Sequence, residues 1–181
     1  MHTEMVLLYH NILLFIIVYN KEVATLKVKW KTLLICIAIP LLAGGFAGFI
    51  SKDSMSIYNN LKQPPLSPPG WLFPIVWTIL YILMGIASYL IVTSKKTNEN
   101  IDKALKLYAI QLLFNFLWTF WFFYLQLYLF SFIWLVVLWF LILFTIKAFS
   151  KISKKAAYLM IPYLLWITFA GYLNIGIALL N

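Results

Sequence analysis

Long apolar blocks alternate with short polar intervals that carry most of the lysines. Five blocks, at about 33–50, 71–93, 107–125, 129–146 and 157–180, come near the roughly 20 residues that a helix needs to cross a bilayer. Backbone groups in hydrocarbon must be satisfied within the segment, which leaves helices and closed barrels. Barrel strands alternate apolar and polar residues over about ten positions. These blocks are twice that length and continuously apolar. The pattern predicts an all-α fold, a bundle of five transmembrane helices.

The lysines support this count. From the segment before the first block to the C-terminal end they number 4, 2, 4, 0, 4, 0, an alternation that five spans require. The N-terminal side is then cytoplasmic and the C-terminus outside. Composition agrees: the chain is 64% hydrophobic and 10% charged, too few charges to cover a soluble protein of 181 residues. The net charge of +9 does not point to nucleic acid, because every basic residue is Lys and readers of bases and phosphates rely on the Arg fork. Lysine to the exclusion of arginine suggests an AT-rich bacterial genome, and hence the plasma membrane. Cys36 lies within an apolar block and has no second cysteine to pair with.

Two segments break the rhythm. Residues 1–30 contain an apolar run of about fifteen, short for a span and lacking the basic leader and small-residue cleavage site of a signal peptide. They read as an extension, either from a misassigned start codon or forming a sixth, partial helix, with the membrane domain occupying 31–181. The first loop holds Pro64, Pro65, Pro68 and Pro69 within six positions. Proline fixes φ and removes the amide donor, so this loop is expected to be stiff and extended. It is either a lid over the bundle or a linker that breaks the helix.

No block interior contains a carboxylate, histidine or lysine. Proton relays and ion paths use intramembrane ionisable groups, and metal sites need imidazole or carboxylate ligands, so neither is expected. Aromatic and amide side chains remain. Helical spacing aligns Trp77, Tyr81, Met84 and Ser88 on the second block. It aligns Gln111, Asn115, Trp118, Thr119 and Phe122 on the third, and Pro162, Trp166, Phe169, Ala170 and Asn174 on the fifth. The amides should avoid lipid, so these faces are expected to point inward around a cavity for a flat, mostly apolar small molecule. Single residues on such faces are more often packing or interhelical glue than ligand contacts. Gly44 and Gly48 have GxxxG spacing, which serves helix packing within the bundle or across a dimer.

The run from Pro64 through Trp71 and Trp77 to Tyr81 and Gly85 resembles the TspO/MBR family of tryptophan-rich sensory and translocator proteins. Asn115, Trp118, Thr119, Phe122 and Phe123 resemble its third-helix signature. Pro162, Tyr163, Trp166, Phe169, Ala170, Tyr172 and Asn174 resemble its fifth. The resemblance implies a five-helix bundle, often a homodimer in contact with membrane lipid. It also implies a cavity under the first loop that binds tetrapyrroles such as protoporphyrin IX and haem as ligands, with no required cofactor. Carried over, Trp77 and Trp166 match the cavity tryptophans linked to porphyrin photochemistry. Tyr58, Pro68, Tyr81, Asn115, Trp118, Phe122, Phe169 and Ala170 match ligand-binding positions. This implies a receptor or sensor, with light- and oxygen-dependent porphyrin degradation or facilitated transport as alternatives. The sequence departs from the family at Ile57, where a Trp is usual, at Leu66, and after Tyr172, where no basic residue completes a cholesterol motif.

Overall fold

The computed structural model describes residues 28–51 and 54–181; the apolar run near the N-terminus, and the extension read there, lie outside the described residues. The described chain is all-helical. Its helices are α1 (Trp30–Ile50), α2 (Ser54–Asn60), α3 (Leu72–Val92), α4 (Asn98–Thr119), α5 (Tyr128–Ser150), α6 (Lys154–Leu159) and α7 (Ile161–Leu180). A π-helical turn, Phe120–Tyr124, prolongs α4. Among the described residues, five spans are long and apolar enough to cross a membrane: Trp30–Ile50, Leu72–Val92, Asn98–Tyr124, Tyr128–Ser150 and Lys154–Leu180. The chain is a multi-pass integral membrane protein.

The span ends differ from the apolar pattern where charge or proline governs them. The third span starts at Asn98 rather than near 107, because the charged stretch before Tyr108 is itself helical. Its exposed Lys103 and Glu99 pair at 2.6 Å one turn apart. The fifth span is interrupted at Met160, between α6 and α7. Pro162 in the first turn of α7 supplies no amide donor, which suits a helix start. Pro162 is also exposed, contrary to the inward face expected for it; the inward stripe of α7 is carried instead by Tyr163, Trp166, Ala170, Leu173, Asn174 and Ile177.

Helices α3 to α7 all contribute to the core, where Met84, Ala87, Leu138, Ile142 and Tyr163 are fully buried. Helix α1 lies at the periphery and exposes Leu34, Leu42, Phe46 and Phe49, which suits a lipid-facing surface. Its approach to α3 depends on glycine. A Cβ on Gly85 would lie 2.5 Å from the Ile37 Cα, and a Cβ on Gly44 would collide with the Tyr81 ring. Of the GxxxG pair, Gly44 therefore packs within the bundle, whereas a Cβ on Gly48 would meet nothing within 4 Å.

The proline-rich loop is not uniformly extended. It turns at Pro65–Leu66, where Leu66 has φ 65°, and the Ser67 hydroxyl donates to the Pro64 carbonyl at 2.7 Å. Three attachments fix it to α7 and its end. The Tyr172 hydroxyl donates to the Pro65 carbonyl (2.7 Å). The Asn181 side chain accepts from the Lys62 amide (2.9 Å) and donates to the Lys62 carbonyl (3.0 Å). Gly176 leaves room for the Pro64 ring, which a Cβ there would approach to 2.7 Å.

Candidate functional site

A cavity of about 450 Å³ opens at the loop end of the bundle. Helix α1 contributes Leu41, Gly44, Gly45, Ala47 and Gly48, and Ser51 follows at its end. Helix α3 contributes Phe73, Pro74, Trp77, Thr78 and Tyr81. Trp118 and Thr119 of α4 are joined by Phe122 and Phe123 of the π-turn, and α7 adds Trp166, Ala170, Leu173, Asn174 and Ile177. Tyr58 of α2 completes the described lining, and among the described residues that line the cavity none is acidic or basic. Among the described residues no three His, Cys, Asp or Glu come together as a metal site.

The cavity floor is a chain of neutral hydrogen bonds. The Tyr81 hydroxyl donates to Asn115 Oδ1 (2.9 Å), and Asn115 Nδ2 donates to the Tyr163 hydroxyl (3.0 Å). All three side chains are buried, so each would lose a full hydrogen bond in low dielectric if its partner were removed. The floor orients Trp77, which stacks on Tyr81 at 5.3 Å and 27° and meets Tyr163 edge-on at 6.1 Å.

The walls are held in the same way. Trp118 Nε1 donates to Asn174 Oδ1 (3.2 Å), and Asn174 Nδ2 donates to the Tyr128 carbonyl (2.8 Å). Trp118 and Phe122 lie 5.3 Å apart, ring to ring. Trp166 packs edge-on to Phe73 at 6.0 Å, and its buried Nε1–H has no acceptor in the protein. At the roof, Tyr58 meets Phe73 edge-on at 5.2 Å and donates its hydroxyl to the Pro68 carbonyl at 3.3 Å. Burial pushes the Tyr58 hydroxyl pKa above its ordinary value, with the Ser67 side chain pulling it part of the way back. Tyr58 is therefore neutral near pH 7.

Of the residues singled out from sequence, Tyr58, Trp77, Tyr81, Trp118, Phe122, Trp166 and Ala170 border this cavity. Asn115 lies behind Tyr81 as part of the floor. Pro68 meets the roof through its carbonyl. Phe169 stands outside the lining, between Trp166 (5.7 Å) and Tyr172 (6.2 Å). Sequence reasoning passed over Phe73, one turn before Trp77 on the same face, and Tyr163, one turn before Trp166. Helical spacing from those two tryptophans was the available signal. It also passed over the α1 wall, whose glycines had been read for helix packing alone.

The sequence profile of the TspO/MBR family matches residues 36–180. The chain belongs to the TspO/MBR family. Relatives include the tryptophan-rich protein TspO of Chlorobaculum tepidum, 44% identical over 165 residues, covering 90% of this chain and 99% of that protein. The tryptophan-rich sensory protein of Cereibacter sphaeroides is 38% identical, over 68% of this chain and 76% of its own length. The sheep translocator protein is 36% identical, over 72% and 79%. The matched TspO/MBR region contains every cavity-lining residue named above.

Proposed function

We propose that this TspO/MBR protein is a membrane receptor or sensor that binds a tetrapyrrole, such as protoporphyrin IX or haem, in the cavity beneath the proline-rich loop. The observation that carries the reading is the lining itself: among the described residues, three tryptophans, two tyrosines and three phenylalanines surround about 450 Å³ with no charged side chain. A site of this size and character suits a flat, mostly apolar molecule recognised by ring contacts and a few fixed polar groups. Trp77 and Trp166 offer indole surfaces from two different helices, and the free Trp166 N–H offers one donor. Titration with protoporphyrin IX in the dark tests the reading. Saturable quenching of tryptophan fluorescence is expected, and quenching that rises linearly without saturation would refute it.

A second reading, light- and oxygen-dependent degradation of the bound porphyrin, draws support from Trp77. Its indole borders the cavity and is stacked on Tyr81, so a photo-excited macrocycle held there has an electron donor at ring contact. The chemistry would need no general acid or base, consistent with a neutral lining. Facilitated transport of the same ligands is the third reading, separable by porphyrin flux into vesicles with and without the protein. The lysine series supports a cytoplasmic N-terminal side in a bacterial plasma membrane, and the family resemblance supports a homodimer.

A further inference from the structure

A second, smaller cavity lies beside the aromatic one. It measures about 190 Å³, its surface is almost wholly apolar, and it is framed by the end of α1 and by α4 with its π-turn. Three residues line both spaces: Ala47 and Ser51 at the end of α1, and Thr119 of α4. On the inner side Gly45 and Gly48 continue the gap, since a Cβ on either would meet nothing within 4 Å. On the outer side Ile50 and Tyr124 form the rim, 46% and 68% exposed. Packed protein interiors leave few voids larger than a water molecule. Here only small side chains separate the aromatic cavity from a groove on the lipid-facing surface of the bundle.

The seam sits at the depth of lipid chains. At roughly 1.5 Å per residue, Ala47 lies about 5 Å inside the end of its span at Ile50, and Thr119 about 8 Å inside the end of its span at Tyr124. Its closure is light. The Phe46 ring lies parallel to Phe116 at 6.0 Å and 4°, and the Ser51 hydroxyl donates back to the Ala47 carbonyl of its own segment at 2.7 Å rather than across the seam. The roof, by contrast, is fastened by hydrogen bonds from Tyr58 to Pro68, Tyr172 to Pro65 and Asn181 to Lys62. The π-turn serves both spaces: Phe122 and Phe123 line the cavity, while Phe120 and Tyr124, stacked at 5.0 Å, line the groove. A flat apolar molecule partitions into the bilayer for the reason that it leaves water, and from there it meets this groove without crossing an aqueous layer.

We propose that the seam between α1 and α4 is a lateral entrance, through which the aromatic cavity takes its flat apolar ligand directly from the bilayer, alongside the route past the loop. The inference rests on the ligand-binding reading of that cavity. Stopped-flow tryptophan quenching in protein-containing lipid vesicles tests it, with protoporphyrin IX as the probe and Ile50→Trp, Leu117→Trp and Phe116→Ala as variants. These three residues line the groove and not the cavity, so a larger ring at Ile50 or Leu117 obstructs the entrance and leaves the site itself unaltered. Probe in the bilayer should bind and leave about tenfold more slowly in each Trp variant. Both rates should rise in Phe116→Ala. Kd should stay within about twofold of wild type in all three, because an entrance changes both rates by one factor and leaves the equilibrium alone. Unchanged rates in the variants, with saturable wild-type binding, would overturn the entrance and leave the binding reading standing. A Kd that moves with the rates would make these residues ligand contacts and overturn it as well. Absence of saturable quenching in wild type would instead overturn the binding reading, and the entrance with it. A retained Kd reports that a variant is folded; if the Trp variants do not fold, Phe116→Ala acts in the opposite direction and decides.

Discussion

Replacing Gly44 by alanine tests the cavity's construction at its tightest point. The added methyl would collide with the Tyr81 ring, lying 2.6 Å from Cζ and 2.7 Å from Cδ2. The ring cannot swing away at little cost, because Trp77 is stacked against it at 5.3 Å and its hydroxyl is tied to Asn115 at 2.9 Å. Either α1 moves outward or the Tyr81–Asn115 bond breaks. Overpacking of this kind costs about 1–3 kcal/mol, and a lost buried hydrogen bond costs a similar amount. A penalty of about 2 kcal/mol corresponds to a Tm roughly 4–8 °C lower for a chain of this size. Gly45→Ala and Gly48→Ala are the controls, since a Cβ at either position meets nothing within 4 Å; their Tm should stay within about 2 °C of wild type. Thermal unfolding in lipid nanodiscs, followed by tryptophan fluorescence and circular dichroism, measures all three. Protoporphyrin titration of the same samples should show weakened binding in Gly44→Ala, because Trp77 shifts with Tyr81. Equal stability of Gly44→Ala and Gly48→Ala would refute the reasoning, and a loss of dimer without loss of monomer stability would assign Gly44 to a subunit interface instead.

Four further outcomes follow from the same geometry. Asn115→Leu should strand the buried hydroxyls of Tyr81 and Tyr163 and lower Tm by about 5–10 °C, while Trp118→Phe, which removes one donor to Asn174, should cost less than half as much. Trp77→Phe should leave the porphyrin Kd within a few fold yet slow its bleaching under light about tenfold or more; equal loss of both would reduce Trp77 to a binding contact. Tyr172→Phe removes the 2.7 Å bond to the Pro65 carbonyl, and stopped-flow quenching should show ligand release up to about fivefold faster. Stability should be flat between about pH 6 and 9 as far as the described lining is concerned, because none of its residues belongs to a type that titrates there. Tyr58 has its pKa raised by burial, so it ionises more readily unfolded than folded, and stability should fall as pH rises through the ordinary tyrosine range near 10; Tyr58→Phe should remove that part of the alkaline loss.

The five spans were legible because lipid imposes a length and a composition on each. Their ends were less legible, because apolar content does not report where a helix stops: 98–106 is charged and still helical, and the fifth span breaks at Met160 with no loss of hydrophobicity. The rotation of α7 shows a related limit. Aligning it from Pro162 placed Phe169 on the inner face, whereas the structure turns Tyr163 and Leu173 inward and leaves Pro162 exposed. A helix with apolar residues on almost all sides offers little contrast to fix its rotation, so only its amide residue, Asn174, marked the inner face. The α1 wall was hidden for a different reason. Gly45 and Gly48 contribute space rather than side chains, and the spacing rules follow side chains.

The neutrality of the floor bears on what this cavity can discriminate. A carboxylate or lysine in its place would be costly at bilayer depth unless paired, and it would select ligands by charge. Tyr81, Asn115 and Tyr163 are instead bonded in a chain, which leaves few polar groups on the floor to engage a ligand. Trp118 is likewise committed to Asn174. Among the cavity's indoles, the Trp166 N–H alone is both buried and unclaimed. Selectivity must then come from the flat outline that Trp77, Trp118, Phe122 and Trp166 leave open, with at most one directed hydrogen bond. Each ring contact of this kind adds only about 0.5–1.5 kcal/mol beyond the area it buries, which is less than a factor of about fifteen in affinity. On the proposed reading, a cavity built this way would accept a class of planar molecules, and the member bound in the cell would be set by abundance in the membrane more than by contacts in the site.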